Sequence, residues 1–148
     1  MTPLKNCINK KSTKSNPIWL MRQAGRYLPE FRKIRKINSN FIKLCLNANI
    51  CPKITLQPLN RFDLDAAIIF SDILMVPYGL QQSVKFKKNF GPQLGNLDLD
   101  NMETLYPNVF RKKLSPIYKS IKEVKNNILV KNKKDLIGFV GAPWTLLV

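Results

Sequence analysis

Three short apolar runs, each broken off at a polar or glycine-bearing tip, limit the folds open to this chain more than any other feature. They are Ile18-Trp19-Leu20-Met21 before Arg22-Gln23-Ala24-Gly25-Arg26, Ala66-Ala67-Ile68-Ile69-Phe70 before Ser71-Asp72, and Leu136-Ile137-Gly138-Phe139-Val140 before Gly141-Ala142-Pro143. Continuous rather than alternating apolar runs of this length suit strands buried on both faces of a parallel sheet. Their polar tips then fall at the carboxyl ends of the strands, where α/β folds place their chemistry. Helical patterns lie between them. Leu114, Ile117, Ile121, Val124 and Ile128 recur at spacings of three and four, which predicts an amphipathic helix starting near Ser115-Pro116 or the turn before it. Phe41, Leu44 and Cys45 mark a shorter helix after Asn38-Ser39-Asn40, and Pro52 opens another that Pro58 kinks or ends. The segment from Lys85 to Asn101, with Gly91-Pro92 and Gly95-Asn96, reads as a hairpin or loop. Strand, helix, strand, helix, strand is α/β architecture, with a (β/α) barrel and a doubly wound sheet as the two candidates.

Residue types exclude several kinds of chemistry. The chain of 148 residues has no histidine, so it cannot supply a Ser-His-Asp or Cys-His group or a His-ligated metal site by itself. Cys7, Cys45 and Cys51 are odd in number and form no C-x-x-C pair, which argues for reduced thiols rather than a disulfide framework or a zinc site. No apolar run approaches the ~20 residues that span a bilayer. Residues 1–16 carry four lysines and no acid, and read as a flexible basic leader ahead of a domain over 17–148. The expected compartment is the cytoplasm, or a plastid if that leader is a targeting segment.

Charge points outward to partners. There are 25 lysines and arginines against 9 acids, a formal net charge of +16. No zinc finger, basic zipper or RNP-like motif accompanies the lysines, which are scattered among asparagines and isoleucines. Neither nucleic acid nor membrane is therefore expected as the partner. The excess predicts instead a salt-sensitive attraction to acidic substrates. Within it, arginine is the exception: 6 Arg stand against 19 Lys, and Arg22-x-x-x-Arg26 sets two guanidiniums four residues apart around Gly25. Arginine outperforms lysine where a planar carboxylate must be gripped by two donors at once. The bland reading is two solvated surface side chains. Asp72, at the tip of a buried run, needs donors or positive charge to stay ionised. It is either a functional carboxylate, or a helix N-cap or structural partner for a nearby arginine.

Residues Pro17 through Arg32, with Arg22-Gln23-Ala24-Gly25-Arg26-Tyr27-Leu28-Pro29 at their centre, resemble the signature of the uroporphyrinogen decarboxylase family. Thr55-Leu56-Gln57-Pro58 leading to Asp65-Ala66-Ala67-Ile68-Ile69-Phe70-Ser71-Asp72-Ile73-Leu74 agrees, as does Leu136-Ile137-Gly138-Phe139 through Trp144-Thr145-Leu146. The resemblance covers residues 17–148. It implies the N-terminal part of a (β/α)8 TIM-type barrel, incomplete in this chain, from a carboxy-lyase that is usually a homodimer. Such enzymes remove carbon dioxide from the four acetate side chains of uroporphyrinogen III to give coproporphyrinogen III, without metal or organic cofactor, in haem and related tetrapyrrole biosynthesis. By the same resemblance Asp72, Arg22 and Arg26 are the catalytic residues. Arg22, Gln23, Ala24, Gly25 and Arg26 form the substrate-binding loop beside Asp72. A tyrosine, a serine and a histidine that the family uses fall past Val148, so the chain alone is expected to be inactive. The rival expectations are a truncated or split remnant that needs a C-terminal partner and, last, a basic polyanion-binding module.

Overall fold

The computed structural model describes residues 1–87, 90–96, 98, 100, 107–127 and 134–147. Prolines and polar caps open the helices. Helix α1 (Pro3–Ile8) starts on Pro3, with the Thr2 side chain accepting from the Lys5 amide, inside the stretch expected as a leader. Helix α2 (Pro29–Ile37) starts on Pro29 and buries Phe31. Helix α3 (Phe41–Cys45) is capped by Asn40, whose Oδ1 accepts from the Lys43 amide at 2.9 Å. Helix α4 (Cys51–Arg61) carries Pro52 in its first turn and runs through Pro58 to Arg61, so Pro58 does not end it.

Strand β1 (Ala66–Ile68) follows, then helix α5 (Met75–Gly79) and an antiparallel hairpin of β2 (Val84–Lys87) and β3 (Gly91–Leu94). The hairpin falls in the segment read as hairpin or loop. Gly91, opposite Lys87, has φ +81°, the left-handed region that glycine enters at little cost. The long helix α6 (Asn108–Asn126) starts about two turns before Ser115-Pro116 and takes Pro116 into its interior. Of its predicted stripe, Leu114, Ile117 and Val124 are buried, while Ile128 lies outside the described residues. Strand β4 (Asp135–Ile137) and helix α7 (Pro143–Leu147) complete the order. Strands β1 and β4 pair in parallel, with Ala66, Ala67 and Ile68 opposite Asp135, Leu136 and Ile137. A parallel pair needs a crossover, which α5, the hairpin and α6 provide.

One expectation fails. The run Ile18–Met21 forms no strand, and Ile18, Leu20 and Met21 are 58%, 54% and 80% exposed. Its backbone groups bond elsewhere. The Ile18 amide donates to the Asp65 carboxylate at 2.7 Å, the Asp65 amide donates to the Ile18 carbonyl at 2.8 Å, and the Leu20 amide donates to Gln23 Oε1 at 2.9 Å. Two side chains and one isolated backbone bond thus take the place of a ladder.

Three apolar clusters make the core: one around Met75, Leu114 and Ile117, one around Ala67, Ile69 and Val124, and one around Leu28, Phe31, Leu44 and Ile54. Phe70 packs against all three. Among the described residues no helix is long and apolar enough to cross a membrane.

Candidate functional site

The loop from Met21 to Leu28 is built around Gln23. This side chain is 2% exposed, and both ends of its amide are engaged: Oε1 accepts from Leu20, and Nε2 donates to the Ala66 carbonyl at 3.0 Å. A buried amide with both ends satisfied stabilises what it joins. Here it ties the loop to the first residue of β1. Three further contacts shape the loop. The Tyr27 hydroxyl donates to the Gln23 carbonyl, the Leu28 amide donates to the Gly25 carbonyl at 3.0 Å, and Arg32 Nη1 donates to the Arg26 and Tyr27 carbonyls at 2.8 and 3.3 Å. Helix α2 is in turn fastened to α4 by a two-point pair between Glu30 and Arg61, at 2.6 and 2.8 Å.

With the loop braced in this way, Arg22 and Arg26 stand exposed, and no hydrogen bond or ion pair among the described residues holds either guanidinium. The contrast with other arginines is informative. Arg32 forks onto two carbonyls, Arg35 onto the Asn38 and Ser39 carbonyls while lying over the Phe41 ring, and Arg61 onto Glu30. Among the described residues, the guanidiniums of Arg22 and Arg26 thus have all their donors open to a ligand.

Both arginines wall a groove of about 360 Å³. Met21, Gln23, Ala24 and Gly25 of the loop line it too, and the rest of its lining is the apolar Phe31, Phe41, Ile68, Ile69, Phe70 and Phe139 with Ser71. A largely apolar cleft with two guanidiniums in its lining suits a ligand with a hydrophobic body and acidic edges. Five of the six predicted site residues therefore meet at one groove.

Asp72 stands one residue beyond the groove's described lining. It is partly buried, and its Oδ1 accepts from the Leu74 amide at 2.8 Å, while the Met75 amide donates to its carbonyl at 3.1 Å. Burial pushes its carboxyl above the ordinary aspartate value, and the Leu74 bond pulls it part of the way back. The carboxylate thus helps turn the chain toward α5 from a position four residues past the end of β1, while the N-cap position of α5 itself is Leu74. No ion pair among the described residues joins Asp72 to Arg22 or Arg26. Also among the described residues, no three His, Cys, Asp or Glu side chains gather where they could hold a metal ion.

Sequence reasoning missed the braces. Gln23, one of the residues proposed to bind substrate, lines the groove and also has both ends of its amide engaged, with Leu20 and with Ala66 of β1. Arg32 carried no expectation of its own, although an arginine beside an arginine-bearing loop in a lysine-rich chain was a usable signal.

Comparisons with known proteins agree on one family. The family model described as uroporphyrinogen decarboxylase (URO-D) matches residues 1–148. A uroporphyrinogen decarboxylase of Chelativorans sp. (strain BNC1) is 41% identical over 143 residues, 97% of this chain and 41% of that protein. One of Agrobacterium fabrum is 42% identical over 139 residues, 94% of this chain and 40% of that protein, and one of Brucella ovis 43% over 130 residues, 88% and 38%. The chain spans about two-fifths of the length of the curated relatives it matches.

Proposed function

The chain belongs to the uroporphyrinogen decarboxylase family, and from that footing we propose that its groove is the N-terminal share of a site that decarboxylates uroporphyrinogen III to coproporphyrinogen III. In this reading the parallel β1–β4 pair is part of a (β/α)8 barrel. The observation that carries the proposal is a largely apolar cleft lined by two guanidiniums without a partner among the described residues, with the Asp72 carboxyl following the lining residue Ser71 in the chain.

The substrate is a reduced macrocycle with eight carboxylates on its rim and four pyrrole N–H groups that can bend toward one point. Arg22 and Arg26 grip rim carboxylates through paired donors, and the lining phenylalanines take the pyrrole faces. Ala24 and Gly25 let the loop backbone approach the ring. Asp72 accepts the converging N–H groups and offsets the positive charge that arises when a pyrrole carbon is protonated. The protonated ring draws the electron pair of the breaking carbon–carboxylate bond and carbon dioxide leaves; a proton then adds to the exocyclic carbon to complete the methyl group, and the ring carbon gives up its proton to restore the pyrrole. A preorganised acceptor aimed at developing charge contributes roughly 3–4 kcal/mol per bond in the best cases. Asp72 has the required polarity: its buried position penalises an unmatched negative charge, and a cationic ring relieves that penalty.

The covered share of the relatives' length favours a second reading alongside: the residues beyond this share must be supplied before turnover occurs. One experiment tests both. Residues 1–148 replace the matching N-terminal segment of the Agrobacterium fabrum enzyme, and coproporphyrinogen release is measured for the chimaera and for the isolated chain. An active chimaera that loses at least about 100-fold on Asp72→Asn, beside an inactive isolated chain, supports both. An active chimaera indifferent to Asp72→Asn removes Asp72 from the reaction.

A further inference from the structure

Between β1 and Asp72 the chain passes through Phe70, which is held at both its backbone amide and its carbonyl. Its amide donates to Thr55 Oγ1 at 2.9 Å, and its carbonyl accepts from Cys51 Sγ at 2.8 Å. The Thr55 hydroxyl gives its proton to the Cys51 carbonyl at 2.9 Å, which leaves its lone pairs to accept. Thr55 and Cys51 are 1% and 0% exposed. The Phe70 ring is wedged edge-on between Phe31 and Phe41, at 5.7 and 5.8 Å between centroids. A helical threonine commonly bonds back to the carbonyl four residues earlier and does no more. Here the same hydroxyl also reaches a second element, two residues ahead of Asp72. Past Phe70, the bonds of Asp72 run forward, to the amides of Leu74 and Met75.

We propose that Thr55, supported by Cys51, is a positioning residue for the groove. Its hydroxyl fixes the Phe70 backbone and thereby sets where Ser71 and the Asp72 carboxylate stand. The inference rests on the reading of Asp72 as a substrate-facing group, and its test needs no substrate. Valine matches threonine in shape but cannot receive the Phe70 amide. Serine keeps the hydroxyl and drops only a methyl group.

The experiment follows the Asp72 carboxyl carbon by NMR through an acid titration in the parent chain, Thr55→Val, Thr55→Ser and Cys51→Ala, with thermal melts beside it. The titratable neighbour coupled to Asp72 among the described residues is Cys45, on which Arg35 also bears. Burial pushes its thiol up to about 12, so it stays protonated throughout. In Thr55→Val the strand tip loosens toward water, and the Asp72 midpoint falls toward the ordinary carboxylate value by about half a pH unit. Thr55→Ser keeps the parent midpoint even if it melts lower. A folded Thr55→Val with a lower melting temperature and an unmoved Asp72 midpoint overturns the proposal, and so does a Thr55→Ser that moves as far as Thr55→Val. If Thr55→Val fails to fold, Cys51→Ala decides: a smaller fall in the midpoint supports the clamp, and no fall overturns it. Anaerobic uroporphyrinogen affinity on the same variants separates the two claims. A moved midpoint with unchanged affinity keeps the clamp and counts against the substrate-facing reading of Asp72.

Discussion

Asp72 carries two duties that pull against each other. Its carboxylate accepts the Leu74 amide and so turns the chain into α5, yet burial raises its pKa and makes the charged form costly. The folded state therefore holds the proton more tightly than the unfolded chain does. The stability this group contributes is fully present below the ordinary carboxylate range and is lost as pH rises through the raised folded value. Asn keeps the acceptor and removes the charge. Asp72→Asn should thus melt about 1–2 °C above the parent at pH 7, with the gap closing as acid protonates Asp72. Circular-dichroism melts across pH check this, and a variant less stable than the parent at pH 7 contradicts it. The position of Asp72 was legible as the end of an apolar run. Its partner Leu74 was not, because an amide two residues ahead leaves no mark in composition. Arg22 and Arg26 were legible by contrast with surrounding lysines. The role of Gln23 was not, since nothing in its neighbours reveals that Ala66, 43 residues on, takes its Nε2 proton.

At the scale of elements, periodic patterns were the most readable. The stripe in α6 and the Asn40 cap of α3 follow from local chemistry and appear where spacing puts them. The run Ile18–Met21 did not become a strand, because Asp65, 47 residues on, and the nearby Gln23 answer its backbone, and a hydropathy pattern cannot register such bonds. Two predictions belong here. A methyl group at Gly79 would sit 2.6 and 2.7 Å from Phe110 ring carbons and 3.0 Å from Leu114, so α5 and α6 cannot keep their approach. Gly79→Ala should lose about 1–3 kcal/mol in urea unfolding, and an unchanged midpoint contradicts that packing. Arg32→Ala frees the Arg26 and Tyr27 carbonyls and with them the far end of the loop. It should weaken uroporphyrinogen binding by about 3- to 10-fold, the net worth of one ordinary exposed hydrogen bond, with the far-UV spectrum unchanged. Loss of helix signal instead would make Arg32 a part of the fold alone.

For the whole molecule, a net charge of +16 surrounds one cleft in which two guanidiniums are free. General attraction of a basic surface to an octacarboxylate falls with salt, whereas paired donors at a fixed spacing depend on shape. Arg22→Lys and Arg26→Lys keep the charge and lose the fork, so each should weaken binding by about 10-fold at 0.5 M salt, where the Debye length is only a few ångströms. Equal affinities for parent and lysine variants under those conditions would reduce the site to a patch of charge. The family frame was readable from three motifs, while the chain's own geometry supplies one parallel strand pair, a separate antiparallel hairpin and the helices beside them. The most direct test compares anaerobic titrations of the chain with uroporphyrinogen and with its flat oxidised form, uroporphyrin, which carries the same eight carboxylates. Because only the flexible reduced ring can aim four N–H groups at Asp72, the parent should prefer uroporphyrinogen and Asp72→Asn should lose that preference. Equal binding of the two rings by the parent, or an undiminished preference in Asp72→Asn, would contradict the account.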